Sequence, residues 1–220
     1  MPPKKPILPS PTAGKLLMLY YGVGVAGLTH PATRDLFTGL MPWSILGSTL
    51  LLLFYHRDWT WRQVLILLGT AVAGFLVEVA GVLTGQVFGE YAYGPALGWQ
   101  VLETPLLIGV NWAMLIYCTH TLFEGSGLSW PIRLFGGALL MVGYDFYMEP
   151  VAIGLNMWQW GGGGIPLQNY LAWFVISLVF LAAMQLGGIR TGNRLAPWLF
   201  WVQAAFFLLL NFGLQAVVPN

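Results

Sequence analysis

Three carboxylates stand where carboxylates are costly. Glu78 lies in LVEVAG, and Asp145 and Glu149 lie in GYDFYMEP, each inside a long apolar stretch. An acid at such depth in a bilayer costs at least about 2.5 kcal/mol on insertion scales, so it faces a protein interior and marks a function more often than not. Asp145 and Glu149 are four residues apart and share one face of a helix. No lysine or arginine stands at their depth. Desolvation and mutual repulsion then leave one acid protonated beside an ionised or hydrogen-bonded partner. Such a group can act as a strong proton donor, as a proton relay, or only as a hydrogen bond between helices.

The aromatic residues follow a pattern tied to these acids. Glu78 is followed 13 and 15 residues later by Tyr91 and Tyr93, and Asp145 at the same intervals by Trp158 and Trp160. Both pairs sit in loops, Gln86–Trp99 and Asn156–Ile165, that are rich in glycine and free of lysine and arginine. Each loop leads to a helix-starting proline, Pro105 or Pro166, and then to Asn111-Trp112 or to Asn169 and Trp173. Helices three–four and five–six therefore read as two copies of one unit, each with a carboxylate beneath an aromatic loop. Sites in such repeats gather at the interface between copies. A scattered tryptophan is ordinarily part of an interfacial belt. Pairs spaced by two above buried acids suit a π-lined pocket that stabilises a cation. Both loops are expected to dip back into the membrane, tolerated only where protein covers them. Pro150, directly after Glu149, is expected to kink helix five beside the acids.

Other motifs carry less. Gly22-x-Gly24-x-x-Gly27 matches a dinucleotide fingerprint, but it lies in an apolar helix with no strand before it, so close helix packing explains it. Gly81-x-x-x-Gly85 is read the same way, as a groove for another helix near Glu78. His30, His56 and His120 fall near helix ends and do not converge with the acids, and no metal site is expected. The chain lacks an Asp-rich diphosphate motif. Every lysine is at or before position 15, so the bundle holds no amine for a retinal Schiff base. The single cysteine, Cys118, excludes an internal disulfide.

The elements that must position the acids are membrane helices. Of 220 residues, 57% are hydrophobic and 8% charged, too few charges to cover a soluble globule. Seven segments approach the length that spans a bilayer: Lys15–His30, Leu36–Tyr55, Gln63–Thr84, Gln100–Phe123, Ile132–Leu155, Pro166–Gly187 and Pro197–Val218. Residues 1–14 read as a disordered tail and 15–220 as a single all-α transmembrane domain. No small-residue cleavage site follows Leu16–Leu28, which argues for a first helix over a cleaved signal. With the N-terminus inside, Lys4, Lys5, Lys15, Arg57, Arg62, Arg133, Arg190 and Arg194 are cytoplasmic and only Arg34 is external. A wrong helix count would scramble that split. The net charge of +1 gives no reason to expect a nucleic-acid partner.

Two stretches carry a family resemblance. Glu78 followed by TG-x-x-FG-x-Y-x-Y, the D-x-x-x-EP of helix five, the W-x-W, and the P-L-x-N after the glycines resemble the carotenoid 1,2-hydratases. These pieces cover about a third of the chain and occur in the right order. The family is distantly similar to membrane-embedded lycopene cyclases. The resemblance implies addition of water to an acyclic carotenoid ψ end, such as that of lycopene or γ-carotene, with no cofactor. Protonation at C2 makes a tertiary cation at C1, which water captures. It implies Asp145 as leading proton donor, with Glu149 and Glu78 tuning it or orienting water. Tyr91, Tyr93, Trp158, Trp160 and Trp173 would line the pocket, and Asn169 would anchor it. A lycopene-type cyclase, which must exclude water, and a small proton-coupled transporter are the competing readings. The expected location is a bacterial inner membrane, with the N-terminus cytoplasmic and lipid as neighbour.

Overall fold

The structure is a computed structural model and describes residues 8–217. Among these, seven α-helices form: α1 (Ser10–Thr29), α2 (Arg34–Phe54), α3 (Trp61–Thr84), α4 (Leu107–Phe123), α5 (Trp130–Gly154), α6 (Leu167–Leu186) and α7 (Ala196–Val217). The architecture is the expected all-α bundle. By length and composition, α2, α3, α6 and α7 can each cross a membrane. Large apolar side chains such as Leu19, Leu50, Leu68, Leu83, Leu139 and Val179 are exposed around the outside, as suits a surface in contact with lipid.

The helix ends obey local chemistry. α1 starts at Ser10 rather than Lys15, because Pro11 is accepted in a first turn, where its missing N–H has no partner to lose. That shortens the expected tail of residues 1–14, and residues 1–7 lie outside the described residues. α3 opens with a reciprocal capping box between Thr60 and Gln63 and closes on left-handed Gly85. α5 runs on past Pro150 to Gly154.

Helix four differs from expectation at its start. Gln100–Pro105 is a β-hairpin, β2 (Gln100–Val101) pairing with β3 (Thr104–Pro105), and α4 begins only at Leu107. Leu102 and Glu103 both have positive φ, 51° and 60°, the geometry of a two-residue hairpin turn. Glu103 is thus a turn residue and not part of α4. The shortened α4 is the hub of the bundle. Thirteen of its seventeen residues are buried, and it touches α2, α3, α5, α6 and α7. Its apolar character serves protein packing on all sides. α3 approaches it closely through Gly109, where an added Cβ would lie 2.3 Å from the Ala71 carbonyl oxygen.

The two glycine-rich loops meet. Tyr91–Tyr93 (β1) pairs antiparallel with Trp158–Trp160 (β4), in the register Tyr91↔Trp160, Ala92↔Gln159, Tyr93↔Trp158. Side chains alternate along a strand, so Tyr91, Tyr93, Trp158 and Trp160 all face one side, while Ala92 and Gln159 are exposed on the other.

Candidate active site

The aromatic face of the β1–β4 ribbon looks down on the acids. Glu78 lies six residues before the end of α3 and Glu149 five before the end of α5, so both sit about 8–9 Å below the helix ends. The loops reach them from above. Tyr91 and Tyr93 donate their hydroxyls to Glu78 Oε2 at 2.7 and 2.8 Å, and Trp112 Nε1 donates to Oε1 at 2.9 Å. Trp158 and Trp160 both donate their indole N–H to Glu149 Oε2 at 2.9 Å. Asn169 Nδ2 bridges the remaining acceptors, donating to Asp145 Oδ2 at 2.7 Å and to Glu149 Oε1 at 3.4 Å. All three acids are buried, Asp145 completely.

One partner assignment from the sequence is corrected. The intervals of 13 and 15 residues match Asp145 with Glu78, but the tryptophans donate to Glu149, so Glu149 is the contact counterpart of Glu78. The reason is the shorter return from α5 into β4: Leu155 and Asn156 turn at once, with Asn156 at φ 55°. The two halves then align through their helices. Glu78 and Glu149 each follow four residues after Gly74 and Asp145, and Trp112 and Trp173 each follow seven after Pro105 and Pro166. Trp112 and Trp173 stack at 4.3 Å between ring centres. Asn169 and Ile108 each stand three residues after their proline. The second half therefore carries Asp145 and Asn169 where the first carries Gly74 and Ile108.

That substitution makes the site lopsided. Glu78 and Glu149 have donors on both oxygens. Asp145 Oδ1 is buried and, among the described residues, has no hydrogen-bond partner. An indole N–H can only donate, so Glu149 Oε2, which receives two, has no room for a proton of its own. Asp145 Oδ1 is the oxygen free to carry one.

A single small cavity gathers all nine residues singled out from the sequence: Glu78, Tyr91, Tyr93, Asp145, Glu149, Trp158, Trp160, Asn169 and Trp173. Its unfilled core is about the size of one water molecule. The walls are aromatic, with Tyr91 packed against Trp160 at 5.2 Å and Tyr93 against Trp158 at 5.9 Å. Their polar heads are taken up by carboxylates, which leaves the carbon skeletons of the rings as lining. Phe88, Ile108, Asn111, Trp112 and Met148 complete the wall. Of these, Trp112 is the main omission from the sequence reading. It stood in the repeat, but its place seven residues after Pro105, matching Trp173, was the available signal. Gly81 also has a different role from the one expected. Phe88 and the Tyr91 hydroxyl press against it, so it admits the aromatic loop and not a second helix. Gly85 is the C-cap of α3.

A second, larger cavity of about 130 Å³ adjoins the first and shares Ile108, Asn111, Met148 and Trp158 with it. It is lined almost wholly by apolar side chains from α1, α2, α4, α5 and α7.

No solved structure matches the chain. A bisanhydrobacterioruberin hydratase from Haloarcula japonica is 28% identical over 141 residues, an alignment covering 60% of this chain and 48% of that protein. The chain thus spans about half the length of that relative. The family model described as carotenoid biosynthesis protein matches residues 39–219, which include every residue of the acid site, and the chain belongs to that family.

Proposed function

We propose that the protein is a carotenoid 1,2-hydratase that adds water across the terminal C1–C2 double bond of an acyclic ψ end by acid catalysis. The observation that carries this reading is the buried Oδ1 of Asp145, which among the described residues has no hydrogen-bond partner, in an aromatic-walled cavity with room for one water. Asp145 transfers its proton to C2, the π pair forms the new C–H bond, and a tertiary cation is left at C1. The rings of Tyr91, Tyr93, Trp158 and Trp160, which line the cavity, would stabilise such a cation. Water attacks C1, and its surplus proton returns to the Asp145 carboxylate, directly or by way of Glu149. The acid is regenerated and the net change is one water added. No cofactor enters the sequence of steps. Asn169 fixes Asp145 against Glu149, and the donors around Glu78 and Glu149 hold those two as acceptors.

Room for a water favours this reading over a cyclase, in which an internal alkene must capture the cation. A hydratase among the relatives agrees with it. The substrate would be an acyclic carotenoid such as lycopene or γ-carotene, taken from the lipid. We place the protein in a bacterial inner membrane, N-terminus cytoplasmic, on the distribution of lysine and arginine. The test is pigment analysis of cells that make lycopene and express this chain. A hydroxylated product with one added water supports the proposal. A ring-bearing isomer would identify a cyclase, and unchanged pigment would point to transport.

A further inference from the structure

The larger cavity has no part in the acid chemistry, yet it ends against it. Its inner wall is made of Ile108, Asn111, Met148 and Trp158, the four residues it shares with the acid cavity. Its outer rim is made of Tyr20 and Val23 on α1 and Leu40 on α2, all exposed on the flank of the bundle among the lipid-facing side chains. Between rim and wall the lining is Leu28, Phe37, Met41, Ile45, Phe206 and Phe207. The Tyr20 hydroxyl and Ser44 Oγ, 2.7 Å apart, tie α1 to α2 beside the rim. A pocket of this kind does not suit a strongly polar ligand, since beyond a few polar side chains such as Asn111, Tyr144 and Gln203 it offers little to replace lost hydration. It suits a long hydrocarbon.

We propose that this cavity is the binding channel for the isoprenoid chain of the substrate, entered sideways from the lipid between α1 and α2. The chain lies along the apolar wall with its tip at Met148 and Asn111. Met148, unbranched and flexible, is the movable part of the partition from the acid cavity. Gly24 follows from this: it lines the channel, and a Cβ there would stand 3.2 Å from Phe206. A large side chain at 24 would occupy the space the hydrocarbon needs. The inference rests on the hydratase reading for the identity of the hydrocarbon, but the channel can be tested by binding alone.

The experiment measures lycopene retained by purified full-length protein in lipid nanodiscs, with saturated lycopane as a competitor that cannot be protonated. Asp145→Asn serves as the non-reacting background. Gly24→Leu and, separately, Leu40→Trp are added to it, the second at an exposed rim position that packing does not constrain. Each is expected to lower retained lycopene at least about tenfold at unchanged helicity. Lycopane is expected to displace lycopene from the background protein and to have little left to displace in either plugged variant. Undiminished lycopene in folded Gly24→Leu and Leu40→Trp would overturn the channel. If Asp145→Asn still hydrates lycopene, the acid assignment fails, and lycopane binding to the plugged proteins still decides the channel.

Discussion

Replacing Asp145 by asparagine removes one proton and almost nothing else. The new carbonyl oxygen keeps the 2.7 Å hydrogen bond from Asn169, and the new amide occupies the place of an oxygen that had no partner. The cost to stability is therefore bounded by one unsatisfied buried amide, about 1–3 kcal/mol. The cost to the reaction is the whole contribution of a general acid, about 10²–10⁴-fold. At about 1.4 kcal/mol per decade that is about 3–6 kcal/mol of barrier, at or above the upper bound on the stability lost. The assay is hydroxylated product per mole of folded protein, with lycopene or γ-carotene in lipid, alongside a thermal unfolding curve. Run in D₂O, the wild type should place one deuteron at C2. Asp145→Asn should insert and purify normally and yield at most about a hundredth of the product. Turnover near that of the wild type would refute the assignment and move the proton to Glu149, tested by Glu149→Gln, or to Glu78, tested by Glu78→Gln. If all three variants work, the buried acids serve only to join helices.

Trp160→Phe should keep the ring face but remove one of two donors on Glu149 Oε2, a bond to a charged group that contributes about 1.5–3 kcal/mol. Unfolding and turnover should both fall, and Trp158→Phe with Trp160→Phe should lose more than either alone. Away from the acids, burial holds the imidazole of His56, in the α2–α3 connection, below its usual value of 6.5, with Gln63 offsetting part of the effect. Because the unfolded chain binds that proton more readily, the stability His56 contributes is present above 6.5 and lost as pH falls below it. Unfolding midpoints measured from pH 7.5 to 5 should decline accordingly, and His56→Gln should flatten the curve; an unchanged slope would contradict this. Tags should report the N-terminus in the cytoplasm and the C-terminus outside, and both on one side would break the seven-crossing arrangement. Product formation should survive chelator treatment, and a requirement for added divalent metal would count against proton transfer by Asp145 alone.

The helices were legible because lipid imposes a long apolar run on each, and the acids because such runs make them conspicuous. The aromatic pairs were legible from their spacing of two, which puts both members on one side of a strand. What the sequence hid is non-local. A three-residue strand such as Tyr91–Tyr93 gives no sign that its partner lies at Trp158–Trp160, and that pairing decides which acid each aromatic reaches. Local composition misled at Gln100–Pro105, where Val101 and Leu102 read as more helix four while Leu102 and Glu103 adopt a left-handed turn without glycine. The large cavity could not be read at all, since its lining comes from five helices at intervals with no common period.

The ribbon that joins the loops has a symmetric register, each half offering the other the same edge, as in an isologous contact between two subunits. The chemistry does not share that symmetry, for only the second half carries Asp145 and Asn169. One acid means one working orientation. On the proposed mechanism lycopene, with two equivalent ends, would have one held at Asp145 while the other meets no second acid site. Conversion at both ends then demands that the half-finished molecule leave, reverse and return. Hydration should be distributive, with the singly hydroxylated carotenoid free in the lipid and open to competing enzymes between the two events.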